Sequence, residues 1–182
     1  MEQAGEYRIA ATRIEVWHAL NDPDVLAQCI DGCQSMEKIS DEKFEARVKA
    51  RVGPVSATFS ADIQLSDIKA PESYVLTVSA KGGAAGFGKG IARVELTEES
   101  PETLLRYSVE AQVGGKLAQV GSRLIDAAAR KMADDFFEKF RSVVAPTQVL
   151  EQETPVAYES SGRWLVWIIV FLVLALALVL AL

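Results

Sequence analysis

Residues 43–65, KFEARVKARVGPVSATFSADIQL, decide the fold. Apolar side chains occupy every second position up to Gly53-Pro54, and the alternation resumes in a new phase after that pair. A period of two is typical of antiparallel strands with one buried face and one solvated face, and Gly-Pro supplies the turn. The stretch therefore predicts a hairpin of two long strands.

The same alternation continues on both sides of this hairpin. It recurs over residues 74–80, 92–96 and 105–113, and more weakly over 2–9 and 36–40, which predicts an antiparallel sheet of about seven strands. Two short helices are expected between the first two strands. The first begins at a capping box, Thr12 with Glu15, and the second at Asp22-Pro23 as N-cap and first helical residue.

A long helix is predicted from about residue 116 to 144, after Gly114-Gly115 interrupts the sheet. Small side chains in its N-terminal half, such as Gly121 and Ala128, should leave a void between the helix and a curved sheet, and an apolar void is a lipophilic-ligand pocket. A fully packed core is the alternative that the sequence leaves open. The expected pocket residues are Trp17, Leu26, Phe59, Phe87, Tyr107, Leu117, Val120, Gly121, Leu124, Ile125, Ala128, Met132 and Phe136.

The last nineteen residues, 164–182 (WLVWIIVFLVLALALVLAL), contain no charged residue, and fourteen are Leu, Ile, Val or Phe. As a helix they would span roughly 28 Å, close to the hydrocarbon thickness of a bilayer of about 30 Å. We predict a transmembrane tail anchor here, a flexible acidic linker over 145–163 and one folded domain over 1–144. The first residues do not resemble a signal peptide, so the domain is expected to face the cytoplasm from the inner membrane.

The charge pattern limits the classes of partner that the domain can bind. The net charge is −6 and no cluster of Lys and Arg appears along the sequence, which argues against nucleic acid and against an electrostatic membrane grip by the domain itself. Cys29, Cys33 and the single His18 are too few for a four-ligand zinc site, so no metal is expected.

Residues 83–90 (GAAGFGKG) approach a phosphate-binding loop, but Gly90 stands where that motif needs Ser or Thr. We expect a glycine-rich hairpin loop instead, which could gate a cavity with Phe87 as a plug. No constellation of catalytic residues stands out, so the chain is predicted not to be an enzyme. If it were one, acting on a small hydrophobic substrate, Asp135 paired with Lys139, or Tyr107, would be the best polar candidates.

Three segments carry a resemblance to a known family. Residues 21–33 (NDPDVLAQCIDGC), 112–125 (QVGGKLAQVGSRLI) and 132–137 (MADDFF) resemble the CoxG family of carbon monoxide dehydrogenase subunits. Asp31 departs from the family pattern, in which a Pro is expected. The resemblance implies an α+β fold of the START-like helix-grip type, in which the antiparallel sheet wraps a long C-terminal helix.

The resemblance also implies a function. Members are associated with holding the molybdenum hydroxylase that oxidises CO at the inner membrane, and a carrier role for respiratory quinone is proposed for them. We therefore expect a non-catalytic module with no covalent cofactor, whose lipophilic ligand is menaquinone, ubiquinone or another lipid. The alternative is a recruitment or assembly factor that has no functional cavity.

Overall fold

The computed structural model describes residues 1–145, and within them seven antiparallel strands form one sheet. The order is β1-β7-β6-β5-β4-β3-β2, so each strand from β2 to β6 pairs with its successor, and β1 pairs with β7. The sheet predicted from the alternation is confirmed. The strands are β1 (Glu2–Ile9), β2 (Cys33–Ser40), β3 (Lys43–Val52), β4 (Val55–Lys69), β5 (Ser73–Lys81), β6 (Phe87–Glu99) and β7 (Glu102–Gly114).

Two short helices, α1 (Arg13–Leu20) and α2 (Pro23–Cys29), connect β1 to β2. The predicted capping box is present: the Glu15 amide donates to the Thr12 hydroxyl, and the Glu15 carboxylate accepts from the Thr12 amide. The Asp22 carboxylate likewise accepts from the first amides of α2, and Pro23 is the first residue of that helix. Both predicted helix starts are therefore correct.

The long C-terminal helix, α3, is Ser122–Val144, so the predicted start near residue 116 is six residues too early. Gly115 and Gly121 have positive φ angles of 74° and 97°, a conformation that breaks a helix, and a short 3₁₀ turn, Ala118–Val120, lies between them. The apolar pattern of residues 117–121 is therefore not a continuation of the helical stripe.

The C-terminal half of α3 seals the core. Phe140 is fully buried and Phe137 nearly so, and the Phe137 ring stacks on Tyr7 of β1 at 4.1 Å between centroids. The Tyr7 hydroxyl also donates to Asp134 on α3 at 2.7 Å. The rest of the core comes from the inner face of the sheet and the two short helices: Ile9, Ala11, Val16, Leu20, Cys29, Phe44, Leu65, Tyr74, Val94, Leu96 and Leu105.

Two of the predicted regions, the linker beyond Ala145 and the transmembrane segment 164–182, lie outside the described residues. Within residues 1–145, no helix combines the length and the apolar composition that crossing a membrane requires.

Candidate functional site

An apolar cavity of about 500 Å³ lies between α3 and the inner face of the sheet, and it is open to solvent on one side. Two of its lining side chains are charged, Asp31 and Asp135; both are partly exposed to solvent, and the region around them is called the mouth below. The volume falls within the range of about 300–1,000 Å³ that is usual for ligand pockets. The remaining lining residues are Ile30, Val48, Ala50, Val52, Phe59, Ala61, Ala80, Gly88, Leu117, Met132, Ala133 and Phe136.

The cavity exists because the strands below it carry small side chains. Ala61 on β4 pairs with Ala80 on β5, which in turn pairs with Gly88 on β6. These neighbours form a strip of small side chains across the inner face, called the small-residue strip below. The other end of that face is filled by Phe44, Leu65 and the rest of the core. The sequence predicted the void from small residues of the helix. The structure corrects this, because the small residues that matter lie mainly on the strands.

Four of the thirteen predicted pocket residues line the cavity: Phe59, Leu117, Met132 and Phe136. The other nine lie elsewhere in the described domain. Trp17, Leu26, Tyr107 and Ile125 are wholly or partly buried, the first three packed against the core; Val120 and Ala128 are half-buried; Phe87, Gly121 and Leu124 are exposed.

Sequence reasoning missed the small strand residues that form the floor of the cavity, above all Ala61, Ala80 and Gly88. The alternation did place Ala61 and Ala80 on the inner face. The missing information was the strand register, which brings small residues of three neighbouring strands side by side. A search for small inner-face residues on consecutive hairpins would have found the strip.

Two ion pairs border the mouth of the cavity. The Lys139 ammonium of α3 donates to the Asp31 carboxylate, just beyond α2, and the Lys131 ammonium donates to Asp135 at 2.7 Å within α3. The predicted pairing of Asp135 with Lys139 is therefore wrong. The Asp31–Lys139 pair joins the α2–β2 corner to α3 across the edge of the cavity, and Lys131–Asp135 stays within one helix.

These contacts shift the pKa values of the mouth residues. The hydrogen bond from Lys139 lowers the pKa of Asp31, and the same bond raises the pKa of Lys139. The hydrogen bond to Asp135 raises the pKa of Lys131. Both lysines are therefore ammonium donors at neutral pH, placed at the rim of an otherwise apolar space.

The glycine-rich connection between β5 and β6 is a packed loop. Gly86 lies against the backbone of Gly114 and Gly115, and the Leu117 amide donates to the Ala85 carbonyl at 2.9 Å. Phe87 is 45 % exposed and covers Gly114, on the opposite face of β6 from the cavity-lining Gly88. Phe87 therefore lies outside the cavity that it was expected to plug.

Groups that could support other chemistry are dispersed. Among residues 1–145, no three His, Cys, Asp or Glu side chains are placed to hold a metal ion together. His18 lies on the exposed side of α1.

Solved structures place this architecture in a known class of proteins. A START superfamily protein from Mycobacterium smegmatis superposes with a TM-score of 0.62 at 11 % identity, over 79 % of this chain and 96 % of that one. A protein from Thermus thermophilus gives 0.61 at 12 % identity, over 79 % and 97 %. At such identities the likeness defines the fold alone, and that fold is START-like, as the resemblance implied.

Closer similarity identifies the family within this class. The family model of the carbon monoxide dehydrogenase subunits called CoxG matches residues 5–145. A conserved protein from Geobacillus kaustophilus is 35 % identical, covers 80 % of this chain and 95 % of its own, and superposes with a TM-score of 0.74. A comparison with curated proteins finds no match. The chain belongs to the CoxG family.

Proposed function

We propose that this protein carries a lipophilic ligand of the quinone class between the inner membrane and a molybdenum hydroxylase of the CO dehydrogenase type, without catalysing a reaction itself. The observation that carries the proposal is the open cavity over the small-residue strip, whose lining is apolar except at the mouth. Membership of the CoxG family supports the choice of partner enzyme.

The shape of the site suits a ligand with one polar end. An isoprenoid chain is apolar and would bury its surface against Phe59, Leu117 and Phe136 inside the cavity. A quinone ring carries carbonyl acceptors, and the ammonium groups of Lys131 and Lys139, which pair with the two carboxylates of the lining, are donors beside the mouth. The ring is therefore expected at the mouth and the chain inside.

The membrane part of the proposal rests on residues 164–182, which we propose anchor the chain in the inner membrane with the domain on the cytoplasmic side. In this arrangement residues 145–163 tether the domain, so that it can take up ligand at the bilayer and still reach a soluble enzyme. A fully extended linker of nineteen residues reaches roughly 65 Å.

Mass spectrometry of small molecules extracted from the detergent-purified full chain tests the carrier function. The matched variants are Ala133→Leu, which projects a larger side chain into the cavity, and Ala127→Leu on the exposed side of the same helix. We expect a stoichiometric quinone in the parent and in Ala127→Leu. In Ala133→Leu the recovered quinone should fall by about tenfold, the effect of about 1.4 kcal/mol of lost binding.

Recovery of phospholipid alone from the parent and from both variants would contradict the carrier function. Gly121, the small residue that the sequence placed in the pocket, is unsuitable as a test position. Its φ of 97° strains any other residue, and it lies away from the cavity. If only phospholipid were recovered and the membrane fraction still retained the hydroxylase, the protein would be a recruitment factor alone.

A further inference from the structure

The charges of this domain are separated along the strand direction. In an antiparallel sheet alternate connections lie at the same end. The β3–β4 turn, the β5–β6 loop and the β7–α3 connection therefore meet at one end, and the β2–β3, β4–β5 and β6–β7 turns meet at the other. The second end carries carboxylates at Asp41, Glu42, Asp67, Glu72, Glu98, Glu99 and Glu102.

The three connections at the first end have the opposite sign. Residues 49–61, 78–92 and 111–125 contain no Asp or Glu, although the whole chain has a net charge of −6. Six exposed basic residues lie in these segments, and among the described residues none of them forms an ion pair with a carboxylate. They are Lys49, Arg51, Lys81, Lys89, Lys116 and Arg123.

These segments touch one another, so their charges share one surface, called the basic end below. Gly53 of the β3–β4 turn lies against Val120 and Leu124, and Gly86 of the β5–β6 loop lies against Gly115. The sequence showed no such cluster because its members are spread over some seventy positions. It arises only when the hairpins are stacked.

The N-terminus of α3 adds to the positive potential of the basic end. Its N-cap residue, Gly121, has no side-chain hydrogen bond, and no acidic residue lies in its first turn. Arg123 lies there instead, where its charge opposes the helix dipole. The arrangement is unfavourable for the helix alone, so it points to an anionic partner outside the domain.

The basic end also exposes large apolar side chains. Phe87 is 45 % exposed and Leu124 is 53 % exposed, and both stand among the lysines and arginines. Seven residues of the same segments line the cavity from the inside: Ala50, Val52, Phe59, Ala61, Ala80, Gly88 and Leu117. A surface of basic side chains with a few apolar tips, next to an apolar cavity, fits an anionic bilayer better than an acidic protein surface.

We propose that the basic end docks on the surface of a bilayer that contains anionic phospholipids. Phe87 and Leu124 enter the headgroup layer, and the surrounding ammonium and guanidinium groups contact phosphates. This inference goes beyond the proposed function and does not need the cavity to hold a ligand, since it depends only on charge and exposure. It differs from the expectation, drawn from the sequence, that the domain has no electrostatic grip of its own.

Geometry permits the contact with the proposed tail anchor in place. The basic end and the C-terminus of α3 lie at opposite ends of a 23-residue helix, which is roughly 34 Å long. Residues 145–163 reach up to roughly 65 Å when extended, so the tether is long enough for the basic end to meet the membrane.

Hydrogen exchange of the intact chain in proteoliposomes tests the docking. Vesicles of phosphatidylcholine alone are compared with vesicles that also contain phosphatidylglycerol. We expect slower exchange over residues 82–90 and 114–124 in the anionic vesicles only. Residues 67–72 and 98–102 at the opposite end serve as the internal reference. High salt should abolish the difference, because the Debye length falls to about 3 Å at 1 M.

Two triple variants with the same change in net charge complete the test. Lys81→Gln/Lys89→Gln/Lys116→Gln removes charge from the basic end, and Lys38→Gln/Lys69→Gln/Arg106→Gln removes it elsewhere. We expect the first to weaken docking by about fivefold for each charge removed, and the second to leave it unchanged. Both should exchange like the parent in neutral vesicles, which shows that they are folded.

Equal exchange in the two kinds of vesicle would overturn the docking proposal, as would equal effects of the two triple variants. Protection of the basic end that needs an added protein rather than anionic lipid would also overturn it. In each of these cases a quinone could still be extracted from the parent protein, so failure of the docking proposal is distinguishable from failure of the carrier function.

Discussion

Cys29 and Cys33 differ in their surroundings although only three residues separate them. Cys29 is 1 % exposed within the core, and Cys33 at the start of β2 is half-buried, its Sγ 3.5 Å from the Ser35 carbonyl oxygen. Burial raises the pKa of both thiols above the usual 9.0. The two residues thus behave as packing side chains whose thiolate forms are disfavoured.

Alkylation kinetics check this view of the cysteines. At neutral pH we expect Cys29 to be labelled by iodoacetamide only through unfolding, and Cys33 to react slowly but faster than Cys29. Because the folded pKa values are raised, the Cys33 rate should still be increasing above pH 9. Peptide mass spectrometry reads each site, and labelling in denaturant provides the control in which the two react alike. A fast native reaction of Cys29 would contradict the packing described here.

The ion pair between Asp31 and Lys139 is the contact that joins two elements across the mouth of the cavity. Both side chains are substantially exposed, so solvent screens the pair and it contributes little to folding. Its folded Asp31 pKa is lowered, so the contribution is complete above the ordinary value of 3.8 and disappears as acid protonates the carboxylate. At neutral pH the pair therefore links α3 to the α2–β2 corner.

Breaking this pair should change ligand exchange more than stability. We expect Lys139→Gln to speed release of a bound fluorescent quinone analogue several-fold, while the free energy of unfolding stays close to that of the parent. Lys131→Gln is the matched control, since it removes a pair that lies within α3 only. Stopped-flow release and urea denaturation give the two quantities. Identical release from both variants would show that the pair does not restrain the mouth.

At the scale of whole elements, much of the fold was predictable from local chemistry. The strands were predicted because burial of one sheet face requires apolar side chains at every second position. The helices α1 and α2 were predicted because Thr12 and Asp22 accept hydrogen bonds from the amides that begin a helix. The start of α3 was missed because Leu117 and Val120 continue an apolar pattern that the backbone does not follow. There, the positive φ of Gly121 decides the outcome.

The candidate site was less predictable than the fold because it belongs to the whole molecule. The cavity depends on which small residues become neighbours between strands, and the basic end depends on which turns share an end of the sheet. Both are set by register and topology. The periodicity of one segment gives neither the register nor the topology. Phe59 and Met132 were therefore correctly predicted to line the cavity, whereas the same prediction for Gly121 and Leu124 was wrong.

The division of the chain into domain and anchor gives a prediction at the same scale. A chain that ends at Pro146 keeps every core contact described above, so its unfolding midpoint should match that of the domain in the full chain. If residues 164–182 are the anchor, the shortened protein should move from the membrane fraction to the supernatant on cell fractionation. A full-length chain with exposed Ala127→Leu controls for general disturbance. A shortened chain that stays with the membrane would contradict the anchor.

The pairing of the first strand with the last sets an order of folding. Five of the six strand pairs join neighbours in the sequence, and they can form as soon as each hairpin is synthesised. The sixth pairs Glu2 with Glu110 and cannot form until β7 exists. Closing so long a loop is slow, because its entropy is lost before any contact compensates for it. β1 therefore has no partner strand until β7 emerges from the ribosome, and an unpaired strand favours aggregation during that interval.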